Sequence, residues 1–104
     1  MTGPALARLR LDYRSALVGY LSHRAESQLH SAYELGRAAI TGRVGLLDLV
    51  QVHNAVTLDL MRSTGEADRL EVAAAAGEFL VEVLAAAEMA QRGFLEGTRP
   101  AEDG

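Results

Sequence analysis

The chain has 104 residues, a formal net charge of −4, 49% hydrophobic residues, 5% aromatic residues and no cysteine. This length allows one domain, and the lack of cysteine excludes disulfides and thiolate metal sites. Every basic residue is an arginine, and the arginines are spread along the chain rather than clustered. Nucleic-acid binding, which usually needs a basic face, is therefore not expected.

Four helical segments follow one another, because apolar residues recur at helical spacing in each of them. The first is predicted over residues 4–22, with Pro4 in the first turn. The second is predicted over 25–41 and is ended by Gly42. Alanine and leucine dominate and runs of β-branched residues are absent, which favours helices over strands.

The third helix is predicted over 46–63 and the fourth over 66–96, with acidic residues early in the fourth, where the helix dipole favours anions. Short connections predict that consecutive helices pack antiparallel. The expected fold is all-α: an antiparallel four-helix bundle-like domain over 1–96 with a long C-terminal helix. Residues 97–104 show no apolar pattern and are predicted to be a linker or tail.

The fourth helix has two apolar faces, and together they span about twice the arc of roughly 100° that one core requires. One face comprises Val72, Ala76, Phe79, Val83, Ala87, Ala90 and Phe94. The other comprises Leu70, Ala73, Gly77, Leu80, Val81, Leu84 and Leu95. Glu78 and Glu82 interrupt the apolar run, so a membrane span is excluded and a cytoplasmic protein is expected. Two apolar faces require two packing partners, which points to an interaction module that forms a dimer.

The small residues of this helix, at 73–77 and 85–87, allow another helix to approach closely. Tight packing within the monomer is one interpretation, and packing against a helix of a second chain is the one we favour. Sequence alone does not divide the wide arc between a dimer interface and a partner site. We assign Ala73, Gly77, Leu80 and Leu84 to the dimer interface.

No catalytic motif is present: the serines lack a nucleophile elbow and no glycine-rich phosphate loop occurs. His23, Glu26 and His30 share a helix face, but ligands on one helix rarely converge on a metal. We therefore expect no enzyme activity, no cofactor and no metal. His53 lies within the apolar stripe of the third helix and is predicted to be a hydrogen-bonded core or interface histidine. A histidine phosphotransfer module using His53 remains the alternative, as does a purely structural helical dimer.

The chain resembles a known family, because many of its residues match the family pattern at corresponding positions. The strongest stretch is Phe79-Leu80-Val81-Glu82-Val83, followed by Met89-Ala90. Further agreements are Tyr20, Glu26, Leu29, Ala32, Arg37, Ile40, His53, Val56 and Leu60. Over residues 13–99 the chain resembles the N-terminal domain of RsbU, the phosphatase of the bacterial general stress response, an all-α domain similar to part of the clock protein KaiA.

The resemblance implies a homodimer that presents a docking surface to a switch kinase of the RsbT type. In the family, docking activates a serine phosphatase domain that dephosphorylates an anti-anti-sigma protein, so the implied function is sigma-factor regulation by partner switching. No phosphatase domain is expected within these 104 residues, which implies a regulatory domain acting on a linked or separate phosphatase. The implied partner-binding residues are Glu26, His30, Tyr33, Val81, Leu84 and Ala85.

Overall fold

The computed structural model describes residues 4–24 and 26–97, including all of these side chains except those of 26–28 and 94–97. The described residues form four α-helices and no strand. The helices are α1 (Pro4–Ser22), α2 (Glu26–Thr41), α3 (Leu46–Arg62) and α4 (Arg69–Gly97), with a short 3₁₀ helix at Glu66–Asp68 before α4. The all-α, four-helix prediction is confirmed.

Each helix junction has a local chemical cause. After α2, Arg43 adopts the left-handed conformation at φ 63°, and the amide of Val44 donates to the Ala39 carbonyl at 2.7 Å. This reversal is the usual helix stop, although glycine normally occupies the left-handed position. Asp48 accepts a hydrogen bond from the Gly45 amide at the start of α3. At the end of α3, the Thr64 hydroxyl donates to the Leu60 carbonyl, which satisfies a group that the helix leaves unpaired.

The helices alternate in direction, as the short connections predict. Asp12 and Gly19 of α1 line one groove with Ala38 and His30 of α2, so that the start of α1 lies beside the end of α2. Consecutive helices are therefore antiparallel, and the contacting pairs α1/α3 and α2/α4 run parallel.

The closest helix pair is formed by α2 and α4, which are adjacent in the fold although not in the sequence, and small residues make this approach possible. A Cβ atom added to Gly36 would collide with the Val83 carbonyl oxygen and lie 2.9 Å from both the Ala86 Cβ and the Ala87 amide nitrogen. Ala32 and Ala39, on the same stripe of α2, are also buried. The two backbones are therefore in direct contact around Gly36.

The core is built from the inward stripes of all four helices. Its largest fully buried side chains are Tyr13, Leu17, Leu49, Phe79 and Val83. The Phe79 ring lies edge-on to Tyr13, with centroids 5.4 Å apart, and 5.9 Å from the Tyr20 ring. Phe79 thus joins α4 to two residues of α1 that lie about two helical turns apart.

Polar contacts at the surface hold α1 to its neighbours. Arg14 pairs with Asp59 of α3 at 2.5 Å. Glu78 of α4 accepts hydrogen bonds from Tyr20 at 2.9 Å and from Arg24 at 2.5 Å, and these bonds, that from Tyr20 first, lower the pKa of Glu78. None of the described helices is both long enough and apolar enough to cross a membrane.

Candidate protein-docking surface

Helix α4 has one buried face and one open face in the described chain. Ala75, Ala76, Phe79, Val83, Ala86 and Ala87 are buried. On the opposite side, Leu70, Val81 and Met89 are exposed, and Val81 keeps 66% of its surface accessible. Scattered exposed apolar residues are ordinary, whereas several on one face of one helix mark an interaction surface. We call this side, from Leu70 to Met89, the outer face of α4.

The small residues of α4 divide between the two faces. Ala75, Ala76, Ala86 and Ala87 are buried inside the monomer, and the last two lie against Gly36 of α2. For these four residues, the preferred interpretation of packing against a second chain is wrong, because they are buried within the monomer; for Ala86 and Ala87 the close helix neighbour is α2. Ala73, Ala74, Gly77 and Ala85 are exposed and remain available to another chain.

The residues assigned to the dimer interface lie on one strip of α4. Ala73 and Gly77 are exposed, and no described atom outside the local helix lies within 4 Å of a Cβ built on Gly77. Leu80 and Leu84 are half-buried, and Leu84 packs against the core from its edge. The strip therefore runs from open surface to the margin of the core.

On α2, an aromatic and charged row faces outward. The imidazole of His30 stacks on the ring of Tyr33, with centroids 6.0 Å apart and an interplanar angle of 16°. The guanidinium of Arg37 lies 5.8 Å from the centre of the same ring, within the range of a cation–π contact. His30 also lies 3.6 Å from the carboxylate of Glu34. Tyr33 is thus held between two side chains, one helical turn on either side.

The partner-binding candidates lie on α2 and α4, at positions that are level with one another along the two helix axes. Gly36 is level with the stretch from Val83 to Ala87, and α2 and α4 run parallel. Tyr33, one turn before Gly36, therefore lies at the height of Leu80 and Leu84. His30, Val81 and Ala85 are exposed, whereas Tyr33 and Leu84 are half-buried; the side chain of Glu26 lies outside the described residues.

Two residues of this surface escaped the sequence prediction. Arg37 was noted only for its family register, yet its spacing of four from Tyr33 is the spacing at which helix neighbours meet. Met89 is exposed and extends the outer face one turn beyond Ala85. The sequence indicated this only through its spacing, because an apolar residue four positions after Ala85 lies on nearly the same side of the helix.

His53 belongs to the core and not to this surface. Its ring is 6% exposed, its Nδ1 lies 2.7 Å from the Tyr13 hydroxyl, and its Nε2 lies 3.4 Å from the Thr57 hydroxyl. The prediction of a hydrogen-bonded core histidine is confirmed. Phosphotransfer requires an accessible imidazole nitrogen, whereas His53 is buried and has a hydroxyl group beside each ring nitrogen.

Comparison with known families gives a match over most of the chain. The family model for the N-terminal domain of the phosphoserine phosphatase RsbU matches residues 11–90, a span that extends from α1 into α4 and includes all the candidate site residues. No phosphatase domain is matched on this chain. No curated protein and no solved structure matches the chain significantly.

Proposed function

The chain belongs to the family of RsbU N-terminal domains, regulatory domains of RsbU-type phosphatases, and we propose that it is a non-catalytic dimerisation and docking domain in bacterial sigma-factor regulation. Its partner is a switch kinase of the RsbT type, as the family resemblance implies. Docking of the kinase activates a serine phosphatase that is linked to the domain or separate from it.

The observation that carries this proposal is the outer face of α4 beside the Tyr33 row of α2. Val81 is an apolar side chain that is exposed in the middle of a long helix. Burial of apolar surface contributes roughly 25 cal/mol per Å², so a partner that covers Val81, Leu84 and Ala85 gains affinity without any change in the fold.

The aromatic and charged row on α2 supplies directional polar contacts, which the apolar outer face of α4 lacks. His30 and Arg37 carry hydrogen-bond donors on either side of an aromatic ring. Aromatic and arginine side chains are enriched at the centre of protein interfaces. In this proposal they set the orientation of the kinase, and the outer face of α4 supplies most of the buried area.

Dimerisation uses the neighbouring strip of Ala73, Gly77, Leu80 and Leu84. The exposed small residues let the backbone of a second α4 come close, as Gly36 does within the monomer. Leu84 lies at the boundary between the strip and the kinase surface, so the two interfaces meet there. The cytoplasm, where sigma factors act, is the expected compartment.

The test is binding of the switch kinase encoded by the same genome, measured by titration calorimetry. Val81→Asp places a charge in the proposed interface and is expected to weaken binding by about a hundredfold or more. Leu47→Asp, an equally exposed position on α3, is the matched control and is expected to leave binding unchanged. Circular dichroism reports whether each variant keeps its helices.

Two results would contradict the proposal. Unchanged kinase binding by a folded Val81→Asp variant would show that the outer face of α4 is not the docking surface. Failure of the unaltered protein to bind the kinase would show that the partner class is wrong and would favour a purely structural helical dimer.

A further inference from the structure

A second groove lies between α1 and α3, away from the surface formed by α2 and α4. It has a volume of about 710 Å³. Its lining comprises Ala7, Arg10, Leu11, Arg14, Ala55, Val56, Leu58, Asp59 and Arg62. None of the proposed kinase-binding or dimer residues takes part, so this groove is a separate feature of the molecule.

The groove presents apolar side chains to solvent along two parallel helices. Leu11 of α1 is 66% exposed and Leu58 of α3 is 56% exposed, and both line the groove. Arg10 and Ala55 also line a smaller cavity that continues toward Leu6. From the turn at Leu6 to the turn at Arg14, the groove extends about 12 Å, or two to three helical turns.

The charges at the rim of the groove are mostly positive, although the chain as a whole is acidic. The lining carries three guanidinium groups and one carboxylate, whereas the formal net charge of the chain is −4. Asp59 already pairs with Arg14 at 2.5 Å. Arg10 and Arg62 have no carboxylate within 4.0 Å among the described side chains. Asp48 lines the smaller cavity and accepts a bond from the Gly45 amide.

We propose that the groove between α1 and α3 docks an acidic amphipathic helix of a partner protein. The apolar stripe of that helix covers Leu11 and Leu58, and its flanking carboxylates pair with Arg10 and Arg62. An apolar groove between helices is the usual receptor for an amphipathic helix. Here the two unpaired guanidinium groups select the acidic kind, because charge complementarity at a rim rejects helices of the wrong sign.

A second copy of this chain fits the groove less well. In a two-fold dimer both copies bury the same patch, so each copy would contribute three guanidinium groups and a single carboxylate, which already pairs with Arg14. Like charges brought together in this way oppose association. A partner with carboxylates meets no such repulsion.

The test uses two fluorescent peptides of about 18 residues that share one leucine stripe at helical spacing. One carries glutamate on both flanks of the stripe and the other carries lysine. Fluorescence anisotropy with the unaltered protein is expected to show binding of the glutamate peptide at least about tenfold tighter than binding of the lysine peptide. Equal binding of the two peptides, or no binding of either, would overturn the proposal.

Variants locate the site and separate it from the α2/α4 surface. Arg10→Glu combined with Arg62→Glu is expected to reverse the preference between the two peptides, whereas Arg8→Glu, at an α1 position that does not line the groove, keeps it. Leu58→Asp is expected to abolish peptide binding and Leu47→Asp to preserve it, with circular dichroism confirming the fold. A drop in molecular mass in solution for Leu58→Asp alone would overturn the proposal in favour of a second copy in the groove.

Discussion

The hydroxyl of Tyr13 and Nδ1 of His53 lie 2.7 Å apart in the core, although the two residues are 40 positions apart in the chain. The Tyr13 hydroxyl has no other hydrogen-bond partner among the described residues, so we assign it as the donor to Nδ1 of His53. Nδ1 therefore accepts, and the ring proton on Nε2 points toward Thr57. Burial lowers the pKa of His53 and raises the pKa of Tyr13, which keeps both groups neutral in the fold.

This pair predicts that acid destabilises the domain. The unfolded chain has a histidine pKa of about 6.5, and the folded pKa of His53 lies below that value. Between the two values the unfolded state binds more protons, so the free energy of unfolding falls as the pH falls through about 6.5. The slope approaches at most about 1.4 kcal/mol per pH unit. Urea unfolding at several pH values from 7.5 to about 5 measures this slope.

The histidine responsible is identified by two substitutions. His53→Leu is expected to remove the acid-dependent loss, because no buried imidazole remains to be protonated. His30→Ala removes an exposed histidine and is expected to keep the slope of the unaltered protein. A slope that survives in His53→Leu would show that other groups cause the acid sensitivity.

The contact between α2 and α4 predicts opposite effects for two glycine substitutions. Gly36→Ala forces the Val83 backbone away and is expected to destabilise the fold by about 2–3 kcal/mol or more, as overpacking does. Gly93→Ala, in α4 but outside the proposed dimer strip, meets no atom within 4 Å and is expected to stabilise by about 0.5–1 kcal/mol, the difference in helix propensity. Thermal unfolding distinguishes the two, and a mild effect of Gly36→Ala would show that α2 and α4 separate easily.

The left-handed residue after α2 predicts a stabilising substitution. Arg43 has a φ of 63°, which glycine adopts without strain. Arg43→Gly is expected to raise the free energy of unfolding by about 0.5–1 kcal/mol. Arg43→Ala retains a Cβ and serves as the control, with no comparable gain. Equal behaviour of the two variants in urea titrations would show that the backbone at this position carries no strain.

The strip of exposed small residues on α4 predicts a dimer. Light scattering over a wide concentration range is expected to give twice the monomer mass of 11.1 kDa. Ala73→Glu, at an exposed position in the strip, is expected to yield the monomer because two carboxylates would be forced together. Ala5→Glu, an exposed alanine on α1, is the control. A monomeric mass for the unaltered protein would leave the whole outer face of α4 to the kinase.

Most of the architecture was predictable because local signals fix it. Pro4 lies in the first turn of α1 as predicted, and the predicted boundaries of all four helices lie within a few residues of those in the structure, although the left-handed residue after α2 is Arg43 rather than Gly42. The exception is the start of the last helix: acidic residues at 66–68 suit a 3₁₀ turn as well as an α-helical one, so composition does not separate the two.

The division of the surface could not be predicted to the same extent. A stripe of small residues allows close packing on a helix of the same chain and on a helix of another chain alike. The sequence does not show that Gly36 of α2 is the neighbour of Ala86 and Ala87, because that contact depends on α2 packing against α4 rather than against α3, the next helix in the chain. The burial of His53 was predictable from its apolar neighbours, whereas its bond to Tyr13 depends on the relative rotation of α1 and α3.

At Gly36 only the methyl group of Ala86 lies between α2 and α4, and this close contact has a mechanical consequence. Two helices in backbone contact have no rotamers between them to absorb a shift, so they turn together as one rigid body. Helix α4 has 29 residues and is therefore about 43 Å long. A rotation of about 5° imposed at one end of such a rod moves its other end by about 4 Å. A partner that binds to α2 and rotates the α2/α4 pair would thus displace the far end of α4, well beyond the surface that the partner itself contacts.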